Sequence, residues 1–207
     1  WIDNITFPPV SSDSTSMLGD VNYDGVINVL DIIIAVNMVL GTESSDYDTA
    51  DLNGDGSIDI LDIVQIVNII LEGRITEDAT HGVVMDRDGL VVLESDGFIG
   101  GVQMTLSHGS DFNINLTNDA LYSDYLTKDN KTTLIIVAPN SDEMFTVSGD
   151  YEIKDMIVAN SSHEISVMTP QIITLDPAYP NPFNPSTSIR LYMPSDGVVS
   201  VKAYNIM

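Results

Sequence analysis

The period of the apolar positions changes along the chain. Two runs, 32–40 and 63–71, are almost continuously apolar, and each is broken by one asparagine, Asn37 or Asn68. Each is the length of a short globular helix and too short to cross a membrane. From about residue 76 to 170 helical periodicity stops and β-branched alternation begins. Strands are expected at 82–85, 90–93, 98–107, 112–116, 132–138, 144–147, 151–158 and 165–168. Turn-forming clusters such as Asp86-Arg-Asp-Gly89 and Pro139-Asn-Ser-Asp142 separate them. About eight short strands at this spacing predict a β-sandwich. Four prolines between 177 and 185 then forbid helix and favour an extended entry to two further strands, 188–192 and 198–204. At the other end, Trp1, Ile5 and Phe7 share one face of a strand-like stretch that Asp3 interrupts. The pattern predicts a multidomain chain: an orphan strand (1–9), a linker (10–16), a small α domain (17–75), an all-β sandwich (76–173) and a partial β-sandwich (174–207). Trp1 is preceded by no methionine or basic segment, and the chain stops at Met207 on an apolar run, so both ends are expected to be cut ends.

A shift of 31 residues lays one stretch over another. Residues 20–31 and 51–62 both read D-x-N-x-D-G-x-I-[ND]-x-x-D, and each is followed by one of the two apolar runs. The self-similarity marks a duplicated unit. The spacing is that of an EF-hand calcium loop, with Asp in place of Glu at position 12. Calcium takes six to eight oxygens, and this spacing lines a tight coil with them. The expected ligands of one ion are Asp20, Asn22, Asp24, the Val26 carbonyl, Asn28 and Asp31. Those of a second are Asp51, Asn53, Asp55, the Ser57 carbonyl, Asp59 and Asp62. Gly25 and Gly56 allow the sharp bend at position 6. Ile27 and Ile58 at position 8 are expected to tie the loops together as a short β-like pair. The stretches before the loops, 10–19 and 41–50, read as non-helical, so each unit is loop then helix.

Charge sharpens this expectation. The 207 residues carry 31 acids and 7 bases, a net charge of −24. The first base is Arg74, so residues 1–73 hold 13 acids and no Lys or Arg. Such a segment repels itself on folding unless a cation supplies the missing charge, and its apolar runs argue against disorder. The negative surface also excludes nucleic acid as a partner and disfavours anionic lipid. No cysteine is present, which excludes disulfides and thiolate metal sites.

The paired loop–helix units, with Gly19-Asp-Val-Asn-Tyr-Asp-Gly25, resemble the dockerin family over about 17–73. That resemblance implies bound calcium (two ions) and attachment of a secreted protein to a cohesin-like domain. It also implies partner recognition at positions 10 and 11, here Val29 and Leu30, and Ile60 and Leu61. These are apolar where many dockerins carry hydroxyl residues, and packing inward or against the next domain is the alternative. Gly100-Gly-Val-Gln-Met-Thr-Leu106 resembles a strand of cohesin-like sandwiches. The run Tyr179-Pro-Asn-Pro-Phe-Asn-Pro-Ser-Thr187, followed by Gly197-Val-Val-Ser-Val-Lys-Ala-Tyr-Asn205, resembles the start of a type A C-terminal sorting domain of the bacterial type IX secretion system. It implies export to the cell surface, with Phe183 as an anchor on the sandwich.

Nothing in the chain points to catalysis. His81, His108 and His163 are widely spaced, and no nucleophile elbow or phosphate loop is present. Asn-x-Ser/Thr occurs at Asn4, Asn115, Asn130 and Asn160, and Asp13-Ser-Thr15 and Asp48-Thr-Ala50 resemble bacterial O-glycosylation sequences, so glycans are candidate modifications. The expected function is that of a non-catalytic, extracellular, calcium-binding attachment module. The alternative is a subunit of a surface filament, in which the 1–9 strand completes a sheet of the next copy. The partner is therefore either a cohesin-like domain or a neighbouring copy.

Overall fold

A computed structural model describes residues 16–72, 77–169, 174–175, 177–182, 184–192 and 198–200. Each loop runs directly into a helix, α1 (Val29–Leu40) or α3 (Ile60–Ile70). Both begin with a capping box. The side chain of Asn28 or Asp59 accepts from the helix backbone, and the N3 acid, Asp31 or Asp62, reaches back to the cap. Gly41 closes α1 in the left-handed region (φ 77°), its N–H bonding the Asn37 and Met38 carbonyls. The stretch before the second loop, expected to be non-helical, contains one helical turn, α2 (Tyr47–Ala50). Asp46 caps it, and its own Thr49 and Ala50 are buried, so local capping and burial outweigh a polar composition. The expected β-like pair of Ile27 and Ile58 does not form among the described residues; both instead flank the helical core.

Nine strands form the sandwich: β1 (His81–Arg87), β2 (Leu90–Ser95), β3 (Gly101–His108), β4 (Asn113–Leu116), β5 (Ala120–Lys128), β6 (Lys131–Pro139), β7 (Glu143–Ser148), β8 (Tyr151–Ala159) and β9 (Ser166–Met168). One sheet has the order β4-β7-β2-β1-β9, the other β5-β6-β3-β8. All pairings are antiparallel except β1 with β9. Strand β5 was not expected. None of its nine residues is buried, and its apolar residues fall in adjacent positions, so it lacks the alternation that reveals a strand. It is held by pairing with β6 through the two-residue turn Asp129-Asn130, in which both residues have positive φ, 51° and 59°.

Leu134 and Ile136 of β6 enter the core between the sheets, with Val102, Met104, Leu106, Phe145 and Val158. Ile135 and Val137 point the other way and join the core beneath α1 and α3. The unbroken apolar run Leu134-Ile-Ile-Val137 reflects burial on both faces. Helix α3 is accordingly apolar on two sides, with Ile60, Ile63, Val64, Ile66 and Val67 all buried. It packs on both α1 and the sheet, and α1 also reaches the sheet at β5 and β6. Its Ile60–Val64–Asn68 stripe faces strands β3 and β8 and the loop after β8. A Cβ added at Gly101 would stand 2.4 Å from Ile60 Cδ1, and one at Gly100 2.8 Å from Val64 Cγ1. The adjacent glycines let the helix approach the sheet backbone.

In the C-terminal stretch, β10 (Thr174–Leu175) pairs with β11 (Leu191–Tyr192), and Tyr179 and Ser188 exchange backbone hydrogen bonds of 2.9 and 3.0 Å. The expected strand at 188–192 is thus reduced to its last two residues and a bridge. The described part of the expected 198–204 strand, 198–200, is not extended into a sheet. Trp1, Ile5, Phe7, Phe183 and 201–207 lie outside the described residues.

One core spanning helices and sheet should unfold as one unit. Ile60→Ala is expected to cost about 2–5 kcal/mol and to lower the thermal midpoint of the helical and sandwich signals together. Two separate transitions, with only the helical one displaced, would refute the shared core.

Candidate metal centre

The two loops have similar geometry and differ at position 1, which accepts from position 5 in the first loop and from position 4 in the second. In the first, the Asp20 carboxylate accepts from Asp24 N (3.1 Å) and Gly25 N (2.9 Å). Asn22 Oδ1 accepts from Asp24 N at 2.8 Å, and Asp24 Oδ1 from Val26 N at 2.8 Å. In the second, Asp51 accepts from Gly54 N (2.8 Å) and Gly56 N (3.0 Å). Asn53 Oδ1 accepts from Asp55 N, and Asp55 Oδ1 from Ser57 N, both at 2.8 Å. These turns follow from the Asp/Asn content, since such side chains accept from backbone N–H groups one or two residues on. The position-9 residues, Asn28 and Asp59, serve as helix caps, bonding Leu30 N (2.8 Å) and Leu61 N (2.7 Å). The Val26 carbonyl accepts from Asn28 Nδ2 at 3.1 Å.

Position 12 closes each loop. Asp31 is fully buried and accepts from Val21 N (2.8 Å), Asn22 N (3.1 Å) and Asn28 N (2.8 Å). Asp62 is equally buried and accepts from Asn53 N (3.1 Å) and Asp59 N (3.0 Å). One carboxylate thus joins the start of its loop to the start of its helix. Burial pushes the Asp62 carboxyl above its ordinary range, with the negative charges of Asp59 and Asp51 adding to the shift. Burial does the same to Asp59, where Asp55 adds to it. Among the described residues no three His, Asp or Glu side chains converge on one point; the loop carboxylates hold backbone N–H groups instead. The donor set nevertheless fits a hard cation. Its side-chain donors are oxygens, most of the carboxylate oxygens accept at most one hydrogen bond (Asp31 Oδ1 accepts two), and no base lies among residues 1–73 to balance them. Calcium there would supply that charge, with the loop carboxylates turning from backbone N–H groups to the ion.

Positions 10 and 11 of the repeats behave differently in the two copies. Val29 and Leu30 are 41% and 52% exposed, as are neighbouring Tyr23 (55%) and Val26 (59%). Their counterpart Ile60 is fully buried against the sheet, and Leu61 is half-buried. The Ile60 N–H donates to Gln103 Oε1 of β3 at 3.1 Å, and Asn68 Nδ2 donates to the Ser161 carbonyl. Sequence reasoning missed this polar clasp. Asn68 sits within an apolar helix run, and that was its one visible signal.

Elsewhere, Thr80 Oγ1 (3.2 Å) and Asp96 Oδ2 (3.1 Å) both meet His81 at Nδ1. A proton relay needs a partner on each ring nitrogen, so this cluster is not a nucleophile triad. Hydrogen bonds from the Thr80 hydroxyl and the Thr80 and His81 N–H groups hold Asp96 well below the usual carboxylate range. His108 stacks on Phe112 (centroids 4.0 Å apart), and His163 packs at the buried Asn160. Asn160 donates to the Ala79 carbonyl at 2.9 Å, and Thr49 is fully buried, so neither is open to glycosylation in the folded chain. Asn115 and Asn130 are exposed. Asn4 and Asp13-Ser-Thr15 lie outside the described residues.

Asp31→Ala removes a capping-box acid and orphans backbone donors at Val21, Asn22 and Asn28. It should cost about 2 kcal/mol or more in urea unfolding followed by helical circular dichroism. Chelator in the buffer separates this loss from that of an ion; an unchanged midpoint would show that Asp31 is dispensable to the fold.

No curated protein matches the chain. Among solved structures it is similar to a non-cellulosomal cohesin from the hyperthermophilic archaeon Archaeoglobus fulgidus, at 14% identity and a TM-score of 0.28, over 45% of this chain and 84% of that one. Residues 18–82 match the family model of the dockerin type I domain, so the chain carries a dockerin-like unit comprising both loop–helix repeats and reaching into the first strand of the sandwich.

Proposed function

We propose that this chain is a calcium-stabilised protein attachment module of a secreted protein, whose first repeat engages a cohesin-like partner while its second is engaged within the chain. The observation that carries this reading is the asymmetry of equivalent positions. Ile60 is fully buried against the chain's own sheet, whereas Val29 is 41% and Leu30 52% exposed. Tyr23 and Val26 extend that apolar surface, and Leu30 N is already capped, so Val29 and Leu30 offer side-chain contact on a rigid helix start. Apolar anchors on a preformed element bind at low ordering cost.

Calcium belongs to this reading. Two ions, one per loop, would bind the twelve positions named above and neutralise carboxylates that have no basic partner. Millimolar extracellular calcium fills sites of modest affinity. The resemblance of 174–207 to a sorting domain supplies a route of export, and among the described residues no helix is long and apolar enough to cross a membrane.

Calorimetric titration after chelator treatment should count two calcium ions per chain. Each should add about 2.7 kcal/mol of stability when calcium stands at about a hundred times its Kd. Asp24→Ala with Asp55→Ala should remove both ions; zero ions bound by the intact chain would end the calcium reading.

Titration with isolated cohesin domains in calcium should give one-to-one binding, abolished by Val29→Asp with Leu30→Asp while the fold is kept. Binding that survives this double change, or that requires Ile60 and Leu61 instead, would overturn the assignment of the first repeat as the outward face.

A further inference from the structure

Asn53-Gly54 is the single Asn-Gly pair in the 207 residues, and it lies at positions 3 and 4 of the second loop. The pair is chemically labile because glycine has no Cβ to shield its backbone nitrogen. Deprotonated Gly54 N attacks Asn53 Cγ, the Cγ–Nδ2 bond breaks, and the nitrogen leaves as ammonia. Water then opens the five-membered imide at either carbonyl, giving aspartate or an isoaspartyl linkage. One water is consumed, one ammonia is released, and no oxidant or cofactor is needed.

The folded loop opposes each part of this step. Gly54 N–H, the nucleophile, is donated to Asp51 Oδ1 at 2.8 Å. Both ends of the Asn53 amide are held, Oδ1 by Asp55 N at 2.8 Å and Nδ2 by Asp55 Oδ2 at 2.9 Å. Gly54 N therefore reaches Cγ only after these three bonds break together, although Asn53 itself is exposed to water. The first loop provides an internal control. Asn22 is held in the same way, at 2.8 and 2.9 Å, but Tyr23 follows it. Tyr23 adopts the same left-handed turn, with φ 60° against 72° at Gly54. The two copies thus share the hold on the Asn amide and the left-handed turn; they differ in the residue after the Asn and in the position-1 aspartate, which takes Gly54 N–H in the second loop and Asp24 N–H in the first.

We propose that Asn53 is a deamidation site that the folded second loop, and calcium bound in it, hold closed. The calcium part rests on the reading of the loops given above. The consequence is one-sided. An isoaspartyl linkage routes the backbone through the former side chain and adds a carbon between Asp51 and Asp55, which breaks the ligand spacing. That loop also supplies Asp59 and Asp62 to cap α3, whose first N–H clasps Gln103. Opening the second loop for long enough would therefore convert a reversible loss of calcium into a permanent loosening of α3 from the sheet, with the first loop intact.

The test incubates the full chain for days in mildly alkaline buffer with calcium, with chelator, and in urea. Peptide mass spectrometry follows the amide-to-acid mass gain, isoaspartyl methyltransferase labelling follows the rearranged product, and calorimetry measures calcium binding separately. Conversion at Asn53 should be at least about tenfold slower in the calcium-loaded chain than in urea, with chelator between them and Asn22 unreacted. Gly54→Tyr should abolish it, and Tyr23→Gly should make Asn22 reactive. Equal rates in folded and urea-unfolded chain, or Asn22 reacting as fast as Asn53 in the unaltered chain, would overturn the proposal. If calorimetry finds no calcium bound, the calcium and chelator arms coincide and the calcium reading fails. The ratio of folded to unfolded rates then decides alone whether the loop protects Asn53.

Discussion

The helical third depends on a carboxylate taken out of water at the junction of each loop and helix. Asp31 and Asp62 are fully buried with no basic side chain anywhere in residues 1–73. A buried carboxylate is tolerated only with compensation, and here backbone N–H groups from both ends of the loop provide part of it. The same bonds set the length of the loop and the first turn of the helix, so one residue fixes two pieces of local structure. Burial raises the Asp62 carboxyl above its ordinary range, and the charges of Asp59 and Asp51 add to the shift.

Helix α3 carries the consequences outward. It is capped by the second loop, buried on two sides, and pressed against a sheet whose central strands provide Gly100-Gly101 and the Ile135–Val137 face. Order in the second loop is therefore linked through Ile60 and Gln103 to the sandwich. The first loop caps α1, whose exposed N-terminal turn makes no such clasp. Two copies of one motif thus do different mechanical work. The second clasps the sheet at its helix start, whereas the first, whose helix also packs on β5 and β6, presents apolar side chains at its helix start to the surroundings.

The loops and helices were legible because their chemistry is local. Ligand spacing, capping acids and an apolar run lie within a few residues of one another and are printed twice, 31 residues apart. Strands with buried faces, such as β3 and β6, were legible for the same reason. Strand β5 was not, because its pairing is decided by β6 and by the Asp129-Asn130 turn and leaves no alternation of its own. The burial of Thr49 and Asn160 was equally hidden, since a short polar residue reads as loop until the backbone that surrounds it is known. The run Leu134–Val137 did carry a readable sign of burial on both faces, and through it of a helical layer on that sheet.

Which repeat faces outward is a different kind of question, because positions 10 and 11 are Val-Leu in one copy and Ile-Leu in the other. A single methylene distinguishes the first pair member, and hydrophobicity alone cannot rank the two surfaces. The difference comes from the receiving side. A branched side chain fully buried at a helix start needs a sheet backbone with no Cβ in its way, and an acceptor for the first helical N–H. Gly101 and Gln103 meet both needs, and they stand two residues apart on β3, on the face that β6 shares with Ile135 and Val137. The second repeat lies nearer to this strand along the chain than the first does, so it reaches the receiving surface at a lower loop-closure cost. Once it is seated, pseudo-symmetry leaves the first repeat with the same kind of apolar helix start and no equivalent glycine-lined strand to receive it.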